Sequence, residues 1–151
     1  MKFHDLANLF PLIEGNEFAL LVEDIKTKGL SESLVLYEDS ILDGRNRYRA
    51  CIEAGVKPEF AEYTGDDPLG HVISLNMQRR HLNESQRAMT AAKLATMKQG
   101  SRTDLEHSAD LRKVSQSEAA NMLNVSERQV SAAKKVQKEL PDEVQQAVSA
   151  G

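Results

Sequence analysis

Ile41-Leu42-Asp43-Gly44-Arg45-Asn46-Arg47-Tyr48-Arg49-Ala50 is the stretch whose reading decides the fold. After Gly44 the apolar period changes: Tyr48, Cys51 and Ile52 recur at helical steps up to Gly55, with Pro58 shortly beyond. A strand is therefore predicted to hand over to a helix across Arg45–Ala54. Glycine lets the backbone of such a turn approach a ligand, the first helical turn aims N–H donors at it, and arginine supplies a planar fork. The arrangement suits a phosphate and makes Gly44, Arg45, Asn46 and Arg47 a candidate anion site. The plainer alternative is a set of solvated arginines on an exposed helix.

Outward from this turn the chain alternates strands and helices. Phe18, Leu21, Val22 and Ile25 mark an amphipathic helix over Asn16–Thr27, closed by Gly29. Leu34–Tyr37 and Ile41–Leu42 flank the acidic turn Glu38-Asp39-Ser40 as a hairpin, and Glu59–Tyr63 reads as a third strand. Asp67 before Pro68 starts a helix that runs to about Asn76. Asn83 with Gln86 three positions on starts another, Ala-rich helix that runs to about Gln99 and stops at Gly100. Residues 100–113 are polar and aperiodic and read as an exposed linker. Three helical segments follow, Gln116–Leu123, Glu127–Lys138 and Asp142–Ala150, the last two separated by Pro141.

Charge is unevenly spread. The net charge of −4 divides into −7 over residues 1–75, with 7 Lys+Arg against 14 Asp+Glu, and +3 over residues 76–151, with 12 against 9. The basic half is the candidate for a polyanionic partner. No apolar run approaches the roughly 20 residues of a membrane span. The acid in Met-Lys-Phe-His-Asp stands where a secretory segment would turn apolar. A cytoplasmic location without membrane contact is the expectation, and the lone Cys51 on an apolar helix face reads as a core residue rather than a reactive thiol. His4, His71, His81 and His107 show no metal-ligand spacing with acids, and no metal site or nuclease constellation is expected.

In the basic half, Ser115 with Glu118 and Ser126 with Gln129 form two capping boxes separated by the short turn Asn124-Val125. Two capped helices so close must turn sharply, and Ala119, Ala120, Leu123, Val125 and Val130 are small or aliphatic enough to let them pack. The pair reads as a helix-turn-helix at about 115–138. Arg128 and Gln129 stand where base edges would be reached, arginine suiting guanine and glutamine adenine. Ser131, Lys134, Lys135 and Lys138 follow along the same helix, the lysines suited to phosphates, and Ser117 and Ser126 sit near helix starts where a phosphate is also welcome. The alternative is a helical hairpin that only mediates protein contacts.

One more cluster, Asn76-Met77-Gln78-Arg79-Arg80-His81-Leu82, sets two arginines between predicted helices, where core packing explains them poorly and pairing with acids such as Glu84 is the competing account. Leu42–Ala50, Ala54-Gly55-Val56 and the box Asn76–Ala88 together resemble the ParB/sulfiredoxin-like domain, and Leu140-Pro141-Asp142-Glu143-Val144 after the helix pair is similar to ParB proteins. The resemblance implies a nucleoside triphosphate pocket, CTP in the partition proteins and with Mg2+. Gly44 and Arg47 match a Gly-x-x-Arg motif, Asn76 and Arg79 match Asn-x-x-Arg, and Arg45, Asn46 and Arg80 stand beside them. It also implies a nucleotide-closed clamp on double-stranded DNA, slow hydrolysis of the triphosphate, a homodimer, and a role in plasmid or phage partition, replication control or transcription. Departures are visible: no Gln-Pro-Arg box lies near Asn8–Asn16, Arg45 and Asn46 replace the usual Glu-Arg, and Leu75 stands where an acid normally precedes the asparagine. Sulfiredoxin chemistry is not carried over, because Cys51 lies more than a helical turn beyond the matching turn.

The expected architecture is thus α+β: a small mixed-sheet domain of the ParB/sulfiredoxin-like kind over residues 1–82, then an all-α helix-turn-helix domain over 83–151. The function expected of it is nucleotide-modulated, sequence-specific DNA binding. A protein-interaction adaptor with a vestigial pocket is the competing reading.

Overall fold

A computed structural model describes residues 1–79, 82–97 and 114–139. The chain divides into two units, Met1–Pro68 and Leu69–Gly151. The sequence reading sets its boundary later, after residue 82, so the helix in between is the element on which the two divisions differ.

The first unit is α+β. Helix α1 (Gly15–Lys28) ends where Gly29 takes a positive φ of 78° and its N–H bonds back to the Ile25 carbonyl. Strands β1 (Leu34–Tyr37) and β2 (Ser40–Asp43) pair antiparallel. Glu38 and Asp39 both adopt positive φ, 49° and 56°, which is the two-residue turn whose twist matches a hairpin. Ser40 consequently belongs to the strand rather than to the turn, and β2 continues to Asp43, longer than Ile41–Leu42 alone.

Helix α2 (Arg45–Ala54) follows, bounded by Gly44 and Gly55, both left-handed. The chain then returns as β3 (Phe60–Glu62), parallel to β1, so the sheet order is β2-β1-β3 and the sheet is mixed, as expected. Phe18, Leu21 and Val22 of α1 pack with buried Ile25 against Ala50 and Cys51 of α2. Leu34, Ile41 and Leu42 have no exposed surface, and because Ile41 and Leu42 are consecutive in β2 and point to opposite faces, the strand is covered on both sides. Burial pushes the Cys51 thiol up from its ordinary pKa, so it behaves as a core residue.

The outer edge of β2 is covered by the start of the chain. The His4 N–H donates to the Ile41 carbonyl and the Ile41 N–H to the Lys2 carbonyl, each at 3.0 Å. His4 also caps the short 3-10 turn Asp5–Asn8: its Nδ1 accepts from the Leu6 N–H at 3.2 Å, which only the unprotonated nitrogen can do. Its ring lies edge-on to Tyr37, with Nε2 3.9 Å from the Glu38 carboxylate. Burial lowers the His4 pKa from the ordinary 6.5 against the opposing pull of Glu38 and Asp5.

A lowered folded-state value means that the unfolded chain takes the proton first. The stability tied to the neutral ring is whole above 6.5 and is lost as the pH falls below it toward the folded value. Urea titrations between about pH 8 and about pH 5 should show this loss. His4→Asn, which keeps an acceptor at the cap, should flatten that part of the profile. An unchanged pH profile in the variant would assign the loss to other groups.

The second unit is helical. Helix α3 (Pro68–Arg79) runs past Asn76 because the Asn76 amide donates to the Val72 carbonyl one turn back, at 2.9 Å, instead of breaking the helix. Asn83 caps α4 (Glu84–Thr96) through a complete capping box with Gln86. This helix stops at Thr96, short of the expected Gln99, with Thr96 Oγ1 bonded back to the carbonyls of Ala92 and Lys93 and Met97 extended. Helix α5 (Gln116–Met122) begins with the Ser115–Glu118 box, and α6 (Glu127–Glu139) follows after a four-residue turn. Helices α4, α5 and α6 pack against one another pairwise. Their shared core is Ala88, Ala91, Ala92 and Leu94 with Ala119, Ala120, Leu123, Val130 and Ala133, all buried. The linker over 100–113 and the helix expected over Asp142–Ala150 lie outside the described residues.

Candidate nucleic-acid interface

The turn between α5 and α6 is built by local chemistry. Asn124 takes the left-handed region at φ 51°, one of the few residues besides glycine that does so at low cost. The Val125 N–H returns to the Ala120 carbonyl, and Leu123 plugs the corner with no exposed surface. Arg87 of α4 donates to the Asn124 carbonyl at 3.3 Å, which ties the turn to the third helix.

Helix α6 then divides into two sides. Val130 and Ala133 point inward and are buried. Arg128, Ser131, Lys135 and Lys138 are exposed, and their spacing of three, four and three residues places them in one row along the helix. Among the described residues none of the three cations in this row has an ion pair or hydrogen bond. The acids of the helix, Glu127 and Glu139, stand at its two ends.

The other expected DNA-contacting residues are used within the unit. Gln129 Oε1 accepts from both the backbone N–H and the hydroxyl of Ser126, at 2.8 and 2.7 Å, and the Gln129 N–H donates to the Ser126 hydroxyl at 3.3 Å. The same side chain donates through Nε2 to the Glu84 carboxylate of α4. Lys134 donates to Gln116 Oε1 at 3.0 Å, while Gln116 Nε2 reaches the Glu127 carbonyl at 3.1 Å. Ser117, exposed in the first turn of α5, has its hydroxyl 3.1 Å from that of Ser115. Sequence reasoning missed Glu84 and Gln116 as partners because both lie on other helices and no spacing rule connects them to α6.

The Gly44–Arg47 turn is equally occupied. Arg45 donates to Asn8 Oδ1 and to the Phe10 carbonyl, both at 2.6 Å, and buried Asn46 accepts from the Ile13 N–H at 3.1 Å. Arg49 reaches the Ile13 carbonyl at 3.3 Å and lies 4.4 Å over the Phe18 ring. These three side chains fasten residues 8–13 across the start of α2. Arg47 faces two carboxylates: Nη2 to Asp43 at 2.9 Å and Nη1 to Glu32 at 2.7 Å.

Gly44 is required by this packing. With φ at 96°, a Cβ there would stand 2.5 Å from Leu34 Cδ2 and 3.2 Å from the Arg47 guanidinium. As folded, the turn does not offer a triphosphate a free cation, since an anion would first have to take Arg47 from Glu32. Asn76 lies in α3 with its amide bonded within the helix, Arg79 closes that helix, and the Arg79 side chain and the whole of Arg80 lie outside what the structure describes. Among the described residues no group of three or more His, Cys, Asp or Glu could hold a metal ion, and no helix is long and apolar enough to cross a membrane.

Fold and site define a two-unit chain, α+β then helical, whose last described helix turns a cationic row to solvent. No protein-family model matches the chain, and no curated protein matches it. Among solved structures it is similar to the C-terminally truncated chromosome-partitioning protein ParB from Caulobacter crescentus complexed with CTP-gamma-S. The two are 24% identical, the match covers 92% of this chain and 74% of that one, and the TM-score is 0.40.

Proposed function

We propose that the chain binds double-stranded DNA, with α5 and α6 acting as a helix-turn-helix and the row Arg128, Ser131, Lys135 and Lys138 facing the major groove. The observation that carries this reading is the row itself: three cations without a partner among the described residues, and a hydroxyl, on one side of a helix whose opposite side is buried. Arg128, in the first turn, is suited to the O6 and N7 acceptors of guanine, and Lys135 and Lys138 farther along are suited to phosphates. Two copies on symmetric half-sites are the arrangement that one short reading helix calls for. The role this fits is that of a ParB-like protein in plasmid or phage partition, replication control or transcription, on the strength of the sequence resemblance.

The test is a titration at fixed salt with duplexes recovered from a random pool by the wild-type chain. Arg128→Ala should lose affinity and relax preference at one base pair. Unchanged affinity and preference would remove α6 as the reading helix.

A nucleoside triphosphate at the Gly44–Arg47 turn is a second, separate reading. The observation favouring it is the asymmetry of the Arg47 pairings: the Asp43 side chain is 13% exposed and fixed at the end of β2, whereas the Glu32 side chain is 57% exposed, so an incoming phosphate competes only with the looser partner. Calorimetry with CTP, ATP and GTP in the presence of Mg2+ should give heat with at least one, and Arg47→Ala should abolish it. Silence from all three would leave the turn a structural clasp.

A further inference from the structure

We infer that Gln129 is a positioning residue rather than a base reader, and that Glu84 of α4 sets the reading helix through it. The inference rests on the DNA-binding reading above and adds to it the residue pair that holds the reading helix in place. A glutamine that reads adenine must present its carbonyl to the exocyclic amine and its amide to N7 at the same time. The carbonyl oxygen of Gln129 has two lone pairs, and both are taken, one by the Ser126 N–H and one by the Ser126 hydroxyl. One of its two amide hydrogens is directed at the Glu84 carboxylate. Little of the amide's reading capacity remains, and the side chain is half-buried where its neighbour Arg128 is exposed.

The pair also stands where it can act on geometry. Glu84 lies in the first turn of α4 and Gln129 in the first turn of α6, so the contact pins the two helix starts together. Both residues line a cavity of about 220 Å³ with Ala88, Met89, Ala132 and Val136 among its other walls. Val130 anchors this end of α6 in the core, and the cavity beside it leaves the Gln129–Glu84 contact as the polar link across the seam. A hydrogen bond to a carboxylate is directional and among the stronger neutral-to-charged contacts, so it adds an angular constraint to the apolar packing of Val130.

The test uses the full chain, a duplex recovered from a random pool, and a panel of single-base variants of that duplex. Gln129→Ala is expected to weaken every duplex by the same factor, about 5-fold or more, leaving the rank order of the panel intact. Gln129→Glu, which sets one carboxylate against another, is expected to weaken all of them further. Gln129→Glu combined with Glu84→Gln should recover most of the loss. In that double variant the amide and the acid have exchanged sides, the amide now on α4 can donate to the carboxylate now on α6, and the net charge is unchanged. Glu84→Ala approaches the same contact from α4, so a Gln129 variant that fails to fold does not end the test.

If Gln129→Ala relaxed preference at a single base pair, Gln129 would be a reader and the inference would be wrong; failure of the paired exchange to restore binding would also overturn it. If Arg128→Ala were silent in the same panel, the DNA-binding reading itself would fall, and that outcome is distinct from the other two.

Discussion

Replacing Arg128 by alanine is expected to cost DNA binding about 1–3 kcal/mol, roughly 5- to 150-fold, and to flatten the preference at one base pair. The magnitude follows from the setting. Arg128 is exposed and without a partner among the described residues, so nothing there competes for its guanidinium and its removal leaves no orphaned group behind. Lys135→Ala on the same row should behave differently. A phosphate contact carries no sequence information, so the loss should be uniform across duplexes and the salt dependence of binding should fall by about one unit of slope. Lys134→Ala serves as the internal contrast: its ammonium is held by Gln116, and its removal should disturb the α5–α6 contact more than the salt slope. A titration over several salt concentrations separates the three variants. Equal slopes for all of them would place the cationic row away from the phosphates.

Gly44→Ala is expected to destabilise the first unit by about 2–4 kcal/mol, measured by denaturant unfolding. Two costs combine. The backbone at φ 96° disfavours any side chain, and the new methyl would meet Leu34 Cδ2 at 2.5 Å and the Arg47 guanidinium at 3.2 Å. Leu34 is fully buried and cannot swing aside, so the sheet or the helix start must shift. The steric part can be isolated. On a Leu34→Ala background, itself destabilised by the cavity it opens, the added Gly44→Ala should cost only about 1–2 kcal/mol, because the clash with Leu34 is gone and the backbone penalty remains with the milder Arg47 contact. Additive costs would mean that Gly44 is not held by Leu34, and would return the glycine to a ligand-binding explanation.

Much of the local structure was legible in the residues. The helix over Arg45–Ala54 and the hairpin at Glu38-Asp39 followed from a change of apolar period and from turn chemistry, and both depend on neighbours in the chain. The capping boxes at Asn83–Gln86, Ser115–Glu118 and Ser126–Gln129 formed as read. The site was harder. Gln129 was readable both as the third member of a capping box and as a base reader, and the two roles compete for the same amide. The arginines at 45 and 47 could equally serve a phosphate or internal acceptors, and apart from Asp43, four residues before Arg47, the partners that now hold them, Asn8, Phe10 and Glu32, lie 15 or more residues away in the chain.

By itself, then, the sequence determined the elements: which stretches form helices and strands, to within a few residues at their ends, and that the cations gather in the second half. Those outcomes depend on apolar period, caps and turns, which act over a few residues. Only the tertiary structure decided which polar groups remain available, committing Arg45, Asn46, Arg47 and Gln129 inside the protein and leaving Arg128, Ser131, Lys135 and Lys138 outside. The physical reason is that a donor or acceptor is claimed by whatever partner folding brings within about 3 Å of it. Local spacing records that partner only where it lies within a turn, as Asp43 does for Arg47 and Ser126 for Gln129, and carries no record of Asn8, Phe10, Ile13, Glu32 or Glu84.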